Sequence, residues 1–139
     1  MKAVLDTNVW VSGFVARGLC ADLIRMALRR HGTGDFEVLL PDAVREEVLR
    51  VLRDKLQASS DALAAVQVAM DEPRAVGPGS WRPPADFPGP TDAPILPASL
   101  AAGADFFVTG DAALLALAEV EGLAIVSPRQ MYSRLIGIE

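Results

Sequence analysis

The sequence predicts an α/β fold in which a mostly parallel sheet is covered by helices on both faces. Three observations favour this class: short apolar runs alternate with segments of helical periodicity, most connections are short, and 51% of the 139 residues are hydrophobic. The first apolar run ends directly on the carboxylate of Asp6. Open α/β sheets place their ligand sites at the carboxyl ends of the strands. We therefore expect a single domain over residues 1–139, with its functional site beside Asp6.

The elements are predicted from apolar periodicity and from the positions of glycine and proline. Strands are predicted at 2–6, 36–40, 106–109 and 123–126. Helices are predicted at 20–30, 42–56, 60–70, 91–102, 111–120 and 129–136, after a helical turn or two at 9–19 broken by Gly13 and Gly18. Prolines and glycines concentrate at about 71–90, which predicts a long loop that Trp81 and Phe87 could pin to the domain. Pro97 is expected to bend the helix that contains it.

Composition and charge exclude several classes of protein. The net charge of −5 argues against bulk coating of nucleic acid, and one histidine with one cysteine, Cys20, gives neither a zinc cluster nor an internal disulfide. Any metal must therefore be held by oxygen, which favours Mg²⁺ or Mn²⁺. No apolar run approaches the roughly 20 residues that span a bilayer, and no signal peptide is apparent, so a cytoplasmic location is expected.

Arginine carries nearly all of the positive charge. Only Lys2 and Lys55 are lysines among the 13 basic residues. The planar guanidinium suits phosphate, so Arg45 and Arg50 are candidates for a phosphate track along the helix at 42–56. The simpler alternative is that these side chains are solvated or pair with carboxylates.

Four acids are predicted to converge at the carboxyl edge of the sheet: Asp6, Glu47, Asp92 and Asp111. Asp6 and Asp111 follow the first and third predicted strands, and Asp92 lies in the first turn of a helix beginning near Thr91. Glu47 lies at the edge of the apolar stripe of its helix, about 40° from Val51 on a helical wheel. Each acid also has a structural reading as a strand end, a helix cap or an ion-pair partner.

Convergent carboxylates favour a divalent cation. Three or four acids packed together repel one another and raise one another's pKa values, and no Lys or Arg lies close in sequence to Asp6, Asp92 or Asp111. Mg²⁺ or Mn²⁺ would relieve this repulsion, activate water and stabilise charge on a phosphoryl group. Supporting hydrogen bonds to the ligands are expected from Thr7, Asn8, Ser12 and Thr109.

Four short motifs, in this order and spacing, resemble the PIN-domain family over nearly the whole chain. They are Leu5-Asp6-Thr7-Asn8-Val9, Arg45-Glu46-Glu47-Val48-Leu49, Thr91-Asp92-Ala93-Pro94-Ile95-Leu96, and Phe107-Val108-Thr109-Gly110-Asp111 with Leu114-Leu115. The resemblance is greatest to the VapC-like branch, the toxins of bacterial toxin and antitoxin pairs. One departure is that members of this branch often carry a further acid where this chain has Gly89; Asp86 is a possible substitute.

The resemblance implies a three-layer α/β/α sandwich with a central parallel sheet and metal-dependent endoribonuclease activity with Mg²⁺ or Mn²⁺. It also implies an RNA substrate, a co-encoded antitoxin partner and a homodimer. Carried over by position, the family's catalytic and metal-binding acids fall on Asp6, Glu47, Asp92 and Asp111, with Asn8 and Thr109 as polar supports. Arg45 and Arg50 would then lie along the RNA phosphates.

Two alternatives remain open. A PIN-like scaffold that binds RNA or protein without cutting is compatible with Gly89 and with the acidic composition. Phosphoryl transfer through an aspartyl-phosphate at Asp6 is disfavoured, since it requires a lysine at the sheet edge and a second acid where Asn8 stands. Dinucleotide and P-loop sites are excluded by the lack of a glycine-rich turn after the first strand.

Overall fold

A computed structural model describes residues 1–88 and 94–137. Its sheet has six strands in the order β3-β2-β1-β4-β6-β5. The strands are β1 (Lys2–Leu5), β2 (Glu37–Pro41), β3 (Arg74–Val76), β4 (Phe106–Val108), β5 (Glu119–Val120) and β6 (Leu123–Val126). Neighbouring strands are parallel except β5, which runs antiparallel to β6.

Helices flank the sheet, which confirms the predicted three-layer α/β/α fold. They are α1 (Thr7–Val15), α2 (Leu19–Arg30), α3 (Asp42–Arg50), α4 (Ser60–Met70), α5 (Ile95–Ala101), α6 (Ala112–Leu117) and α7 (Pro128–Leu135). Helix α2 packs against α1 and α7, whereas α3 packs against α1, α4 and β2. Within the described ranges, no helix is long and apolar enough to cross a membrane.

The central strands β2, β1 and β4 form the middle of the core. Their aligned residues Val4, Leu39 and Phe107 are fully buried, as expected for parallel strands covered on both faces. Trp10 of α1 and Leu23 of α2 are fully buried and belong to the same core as these strands. Because β1 lies between β2 and β4, the residue after β1 is placed at the centre of the carboxyl edge.

The first helix is continuous through Gly13, contrary to the predicted break. Packing rather than backbone conformation favours glycine there, because a Cβ at Gly13 would lie against the Ile24 side chain and close to the backbone carbonyl of Cys20. Gly18 does separate α1 from α2, with a φ of 141°.

Part of the predicted loop at 71–90 is a strand. Residues Arg74–Val76 form β3, which pairs with β2 at the sheet edge. The strand is short and follows Pro73 directly, so neither apolar alternation nor length marked it in the sequence. The described remainder, 77–88, has no helix or strand, and Trp81 packs edge to face on Phe87 with ring centroids 5.6 Å apart. Both rings are packed against the core.

Two predicted helices end earlier than expected. The helix from Asp42 ends at Arg50 and continues as a π-helical turn, Val51–Lys55, rather than as an α-helix to residue 56. Helix α6 ends at Leu117, and Ala118, with φ of 63°, leads into β5. The helix predicted to residue 120 is therefore wrong at its end, where a hairpin turns through Glu121 and Gly122 at positive φ.

Pro97 and Pro128 both lie in the first turn of a helix. Helix α7 begins at Pro128, as expected, behind a capping box in which Ser127 and Gln130 bond each other's backbone amides. Pro97 lies in the first turn of α5, where it removes no intrahelical hydrogen bond. The beginning of the helix predicted at 91–102, with Thr91 and Asp92, lies outside the described residues.

Candidate active site

Asp6 is fixed at the centre of the carboxyl edge. Its backbone amide donates to the Val108 carbonyl at 2.8 Å, which ties the end of β1 to β4. Its side chain caps α1, since Oδ1 accepts from the Thr7 amide at 2.8 Å. The second oxygen, Oδ2, accepts from Thr109 Oγ1 at 2.7 Å. Only 4% of Asp6 is exposed, so a carboxylate is held in the interior by short hydrogen bonds.

Thr109 connects Asp6 to Asp111. Its fully buried hydroxyl donates to Asp6 and accepts from the Asp111 amide at 3.0 Å. The Asp111 Oδ1 in turn accepts from the Leu114 amide at 3.0 Å and caps α6. The two acids that follow neighbouring strands are therefore joined through one hydroxyl.

Glu47 reaches the same region from α3 and is held more loosely. Its side chain is 38% exposed, and Oε2 lies 3.5 Å from an Arg50 nitrogen one helical turn away. This contact corresponds to the structural alternative considered for Glu47, although an exposed pair of this kind contributes little stability.

The pKa of Asp6 responds to its burial, its hydrogen bonds and two other acids. Burial raises the pKa of Asp6 above its ordinary value, and the negative charges of Glu47 and Asp111 raise it further. The hydrogen bonds from Thr109 and the Thr7 amide act in the opposite direction and favour the ionised form. Asp6, Glu47 and Asp111 thus interact by charge across the site.

The fourth predicted acid, Asp92, and the neighbouring Gly89 lie outside the described residues. Asp86 is described and is exposed to solvent. Over residues 1–88 and 94–137, no three side chains of Asp, Glu, His or Cys are grouped closely enough to form a ready-made metal site.

The side chains of the other predicted supports do not bond the acids, although the Thr7 backbone amide bonds Asp6. The Thr7 hydroxyl is buried and has no hydrogen-bond partner among the described residues. The side chains of Asn8 and Ser12 form no hydrogen bond in that part of the chain and lie at a small cleft of about 90 Å³ beside the site. Cys20 and Gly110 also line this cleft, and neither was predicted from the sequence as a site residue.

The two candidate phosphate-binding arginines already have partners. Arg45 donates to the Met70 carbonyl at 2.8 Å and to Asp71 Oδ1 at 2.7 Å, which ties α3 to the end of α4. Arg50 lies beside Glu47 and is 53% exposed. Of the two, Arg50 is the one that lies at the acids.

The donor set fits a hard divalent cation. All three described acids offer oxygen, each carboxylate oxygen of Asp6 has one hydrogen bond and a further lone pair, and no lysine or histidine neutralises the group. The negative charges of Glu47 and Asp111 repel the Asp6 carboxylate and add to the rise in its pKa. A bound cation would attract the carboxylate and offset this repulsion. Asp6, Asp111 and Glu47 are therefore the described residues that would hold it.

A three-layer sandwich with acids at the carboxyl edge of its parallel sheet defines the class of this protein. Residues 2–113 match the family model of the PIN domain, so the chain belongs to the PIN-domain family. Members of this family are generally nucleases, and the chain therefore carries a nuclease scaffold. The matched span includes β1 through the start of α6, and with it every predicted acid. No curated protein matches the chain.

Proposed function

We propose that the chain is a metal-dependent endoribonuclease that hydrolyses RNA phosphodiester bonds with Mg²⁺ or Mn²⁺. The observation that carries the proposal is the buried carboxylate of Asp6, held by Thr109 and facing the charges of Glu47 and Asp111. A divalent cation bound there supplies an activated water and positive charge opposite the phosphoryl oxygens.

The residues of the chain perform the positioning. The backbone amide of Thr7 and the hydroxyl of Thr109 keep both Asp6 oxygens in a fixed orientation, so little reorganisation is needed when the cation binds. Asp111 is held by the same hydroxyl and by its own helix, whereas the Glu47 side chain on α3 is 38% exposed and has a 3.5 Å contact to Arg50. Glu47 would contribute a carboxylate oxygen to a bound cation, and Arg50, 53% exposed beside it, would be available to a substrate phosphate.

Cleavage of labelled total RNA by the purified protein tests this proposal. We expect cutting with Mn²⁺ that is lost with EDTA and in Asp6→Asn, and retained in Glu121→Gln, which changes an exposed acid in the hairpin before β6. Cutting that persists with EDTA or in Asp6→Asn would contradict the proposal.

One observation favours a second candidate, a PIN-like scaffold that binds RNA or protein without cutting. The described acids form no ready-made metal cluster, and Gly89 stands where related proteins often carry an acid. A thermal shift series separates the two functions: an active site is stabilised by Mn²⁺ in the wild type and not in Asp6→Asn. Equal melting curves with and without metal, together with no cleavage, would favour the scaffold.

We further propose that the nuclease is the toxin of a toxin and antitoxin pair and acts as a homodimer. The order and spacing of the four motifs support this assignment. Induction in a bacterial host should arrest growth, Asp6→Asn should relieve the arrest, and co-expression of the neighbouring reading frame should suppress it. Growth unaffected by the wild-type protein would contradict the toxin role without bearing on RNA cleavage in vitro.

A further inference from the structure

The cleft beside the acids has the composition of a sugar-binding site. It is lined by Asn8, Val9, Ser12, Cys20, Gly110 and Pro128 and encloses about 90 Å³. Most of its wall is apolar, formed by Val9, Cys20 and Pro128, and the polar side chains come from α1. A sugar ring presents apolar C–H faces and hydroxyl edges, which matches a wall of this kind with polar groups beside it.

Asn8 and Ser12 are placed to act together. They are separated by four residues on α1, so both side chains lie on one face of the helix, and both are exposed. Neither side chain has a hydrogen-bond partner in the described ranges. An amide and a hydroxyl each donate and accept hydrogen bonds, which is also the capacity of a ribose 2′-hydroxyl.

The cleft is joined to the acids through the chain itself. Asn8 is two residues after Asp6, and Gly110 directly precedes Asp111. A nucleotide whose phosphate lies at these acids would therefore bring an adjoining sugar to the cleft. Gly110 lines the cleft and has open space beside it, because a Cβ built on it would meet no atom within 4 Å.

Chemistry gives a reason for such a contact. Hydrolysis by an activated water does not use the 2′-hydroxyl, so the reaction itself distinguishes RNA from DNA poorly. Selection of RNA then depends on recognition of the hydroxyl outside the reacting bond.

We propose that the cleft formed by Asn8, Ser12 and Gly110 binds the ribose next to the scissile phosphate and selects RNA through its 2′-hydroxyl. This inference rests on the proposed nuclease function and adds the determinant of sugar specificity. Asn8 and Ser12 are specificity residues, separate from the acids that hold the cation.

Binding of two matched oligonucleotides tests the proposal. The probes are a fluorescently labelled single-stranded RNA of about 12 nucleotides, within the range that one small domain covers, and DNA of the same sequence with deoxyuridine for uridine. Ca²⁺ replaces Mn²⁺, and a gel checks that the RNA stays intact. We expect the wild type to bind RNA about three- to tenfold more tightly, the factor expected for one net hydrogen bond.

Three variants and a control locate the contact. In Asn8→Ala and Ser12→Ala, RNA affinity should fall toward that of DNA while DNA affinity stays unchanged. Gly110→Ala should do the same by narrowing the cleft, since Gly110 lacks a positive φ and tolerates a Cβ in the fold. Gly77→Ala is the matched control: Gly77 also lacks a positive φ and has open space, but it lies after β3 and away from the cleft.

Cys20 supplies a readout that is independent of affinity and of cleavage. It is the single cysteine of the chain and is half-buried in the cleft wall. Its alkylation by iodoacetamide, followed by intact mass, should be slowed by the RNA probe at least about threefold more than by the DNA probe at equal occupancy. Asn8→Ala should abolish this difference.

Several outcomes would overturn the inference. Equal binding of RNA and DNA by the wild type, or equal losses for both in Asn8→Ala, would exclude 2′-hydroxyl recognition by the cleft. If metal-dependent cleavage survives while RNA and DNA are cut alike, the inference fails and the nuclease function stands. Absence of both cleavage and binding would overturn the two together.

Discussion

Asp6 and Glu47 face the same edge of the sheet, but the fold holds them in opposite ways. Asp6 is buried between two strands, and both of its oxygens accept short hydrogen bonds. Glu47 is part of a helix surface, is 38% exposed and has only a 3.5 Å contact to Arg50. The Asp6 side of the site is therefore preorganised, whereas the Glu47 side is exposed to solvent.

The two acids therefore have different structural settings in the nuclease scaffold. Buried hydrogen bonds are concentrated where two strands end and two helices begin, because backbone amides and a hydroxyl can together fix a carboxylate there. A carboxylate on an exposed helix surface has few such partners. It can therefore leave one positively charged partner and bind another. Changes on the Asp6 side should thus affect folding and activity, and changes on the Glu47 side mainly activity.

The largest effect is expected for Asp6→Asn. We expect RNA cleavage with Mn²⁺ to fall by about a hundredfold or more, because the substitution removes a charge that holds the cation while retaining an oxygen for the helix cap. Without metal, the variant should be at least as stable as the wild type, since a buried charge is removed. Initial cleavage rates and thermal melts measure both, and a large loss of stability would contradict this account of the site.

Thr109→Val should mainly reduce stability. The valine leaves Asp6 Oδ2 and the Asp111 amide without their common partner, which should cost about 1–3 kcal/mol in the free energy of unfolding. Thr109→Ser keeps the hydroxyl and is the matched control. Urea unfolding of the three proteins gives the comparison, and equal losses in the two variants would show that packing rather than hydrogen bonding matters at this position.

Glu47→Gln should separate activity from stability. We expect the free energy of unfolding to change by no more than about 0.5 kcal/mol, since an exposed ion pair contributes little, while cleavage falls by about tenfold or more. Arg50→Gln, which breaks the same pair without removing an acid, serves as the control for the change in stability alone. If Glu47→Gln cleaved RNA at the wild-type rate, Glu47 would not be a ligand.

The pH dependence of stability should report the buried carboxyl of Asp6. Because the folded state raises the pKa of Asp6 above 3.8, protonation of Asp6 favours folding, and this contribution is lost as pH rises through the raised value. The stability of Asp6→Asn relative to the wild type should therefore grow as pH rises above 3.8 and then level off. Thermal melts across this range without metal measure it; a difference independent of pH would contradict the raised pKa.

The sequence predicted the layers and the position of Asp6 because long apolar periods and strand ends are local signals. Thr109 was expected to support the acids because a hydroxyl at the end of one strand can bond a carboxylate at the end of its neighbour, and its hydroxyl donates to Asp6 Oδ2. The short elements β3 and β5 were missed, as each has three residues or fewer: β5 continues the apolar run of α6, and β3 pairs with β2, a strand distant in sequence. Local patterns carry no information about such partners.

Side-chain partners were predicted less well than positions. Arg45 was a candidate for phosphate, yet it binds Asp71 and the Met70 carbonyl at the end of another helix. Asn8 and Ser12 were expected beside the acids but line the adjacent cleft. The partners of Arg45 and the positions of Asn8 and Ser12 depend on how α1, α3 and α4 pack. Apolar periodicity alone does not predict this packing.

Direct measurement of Mn²⁺ binding tests the central claim most closely. Titration calorimetry or the spin resonance of free Mn²⁺ would compare the wild type with Asp6→Asn, Asp111→Asn and the control Glu121→Gln. The account predicts one site whose affinity falls at least about tenfold in the first two variants and is unchanged in the control. Equal affinity in all four proteins, or no binding by the wild type, would contradict a metal centre at this edge of the sheet.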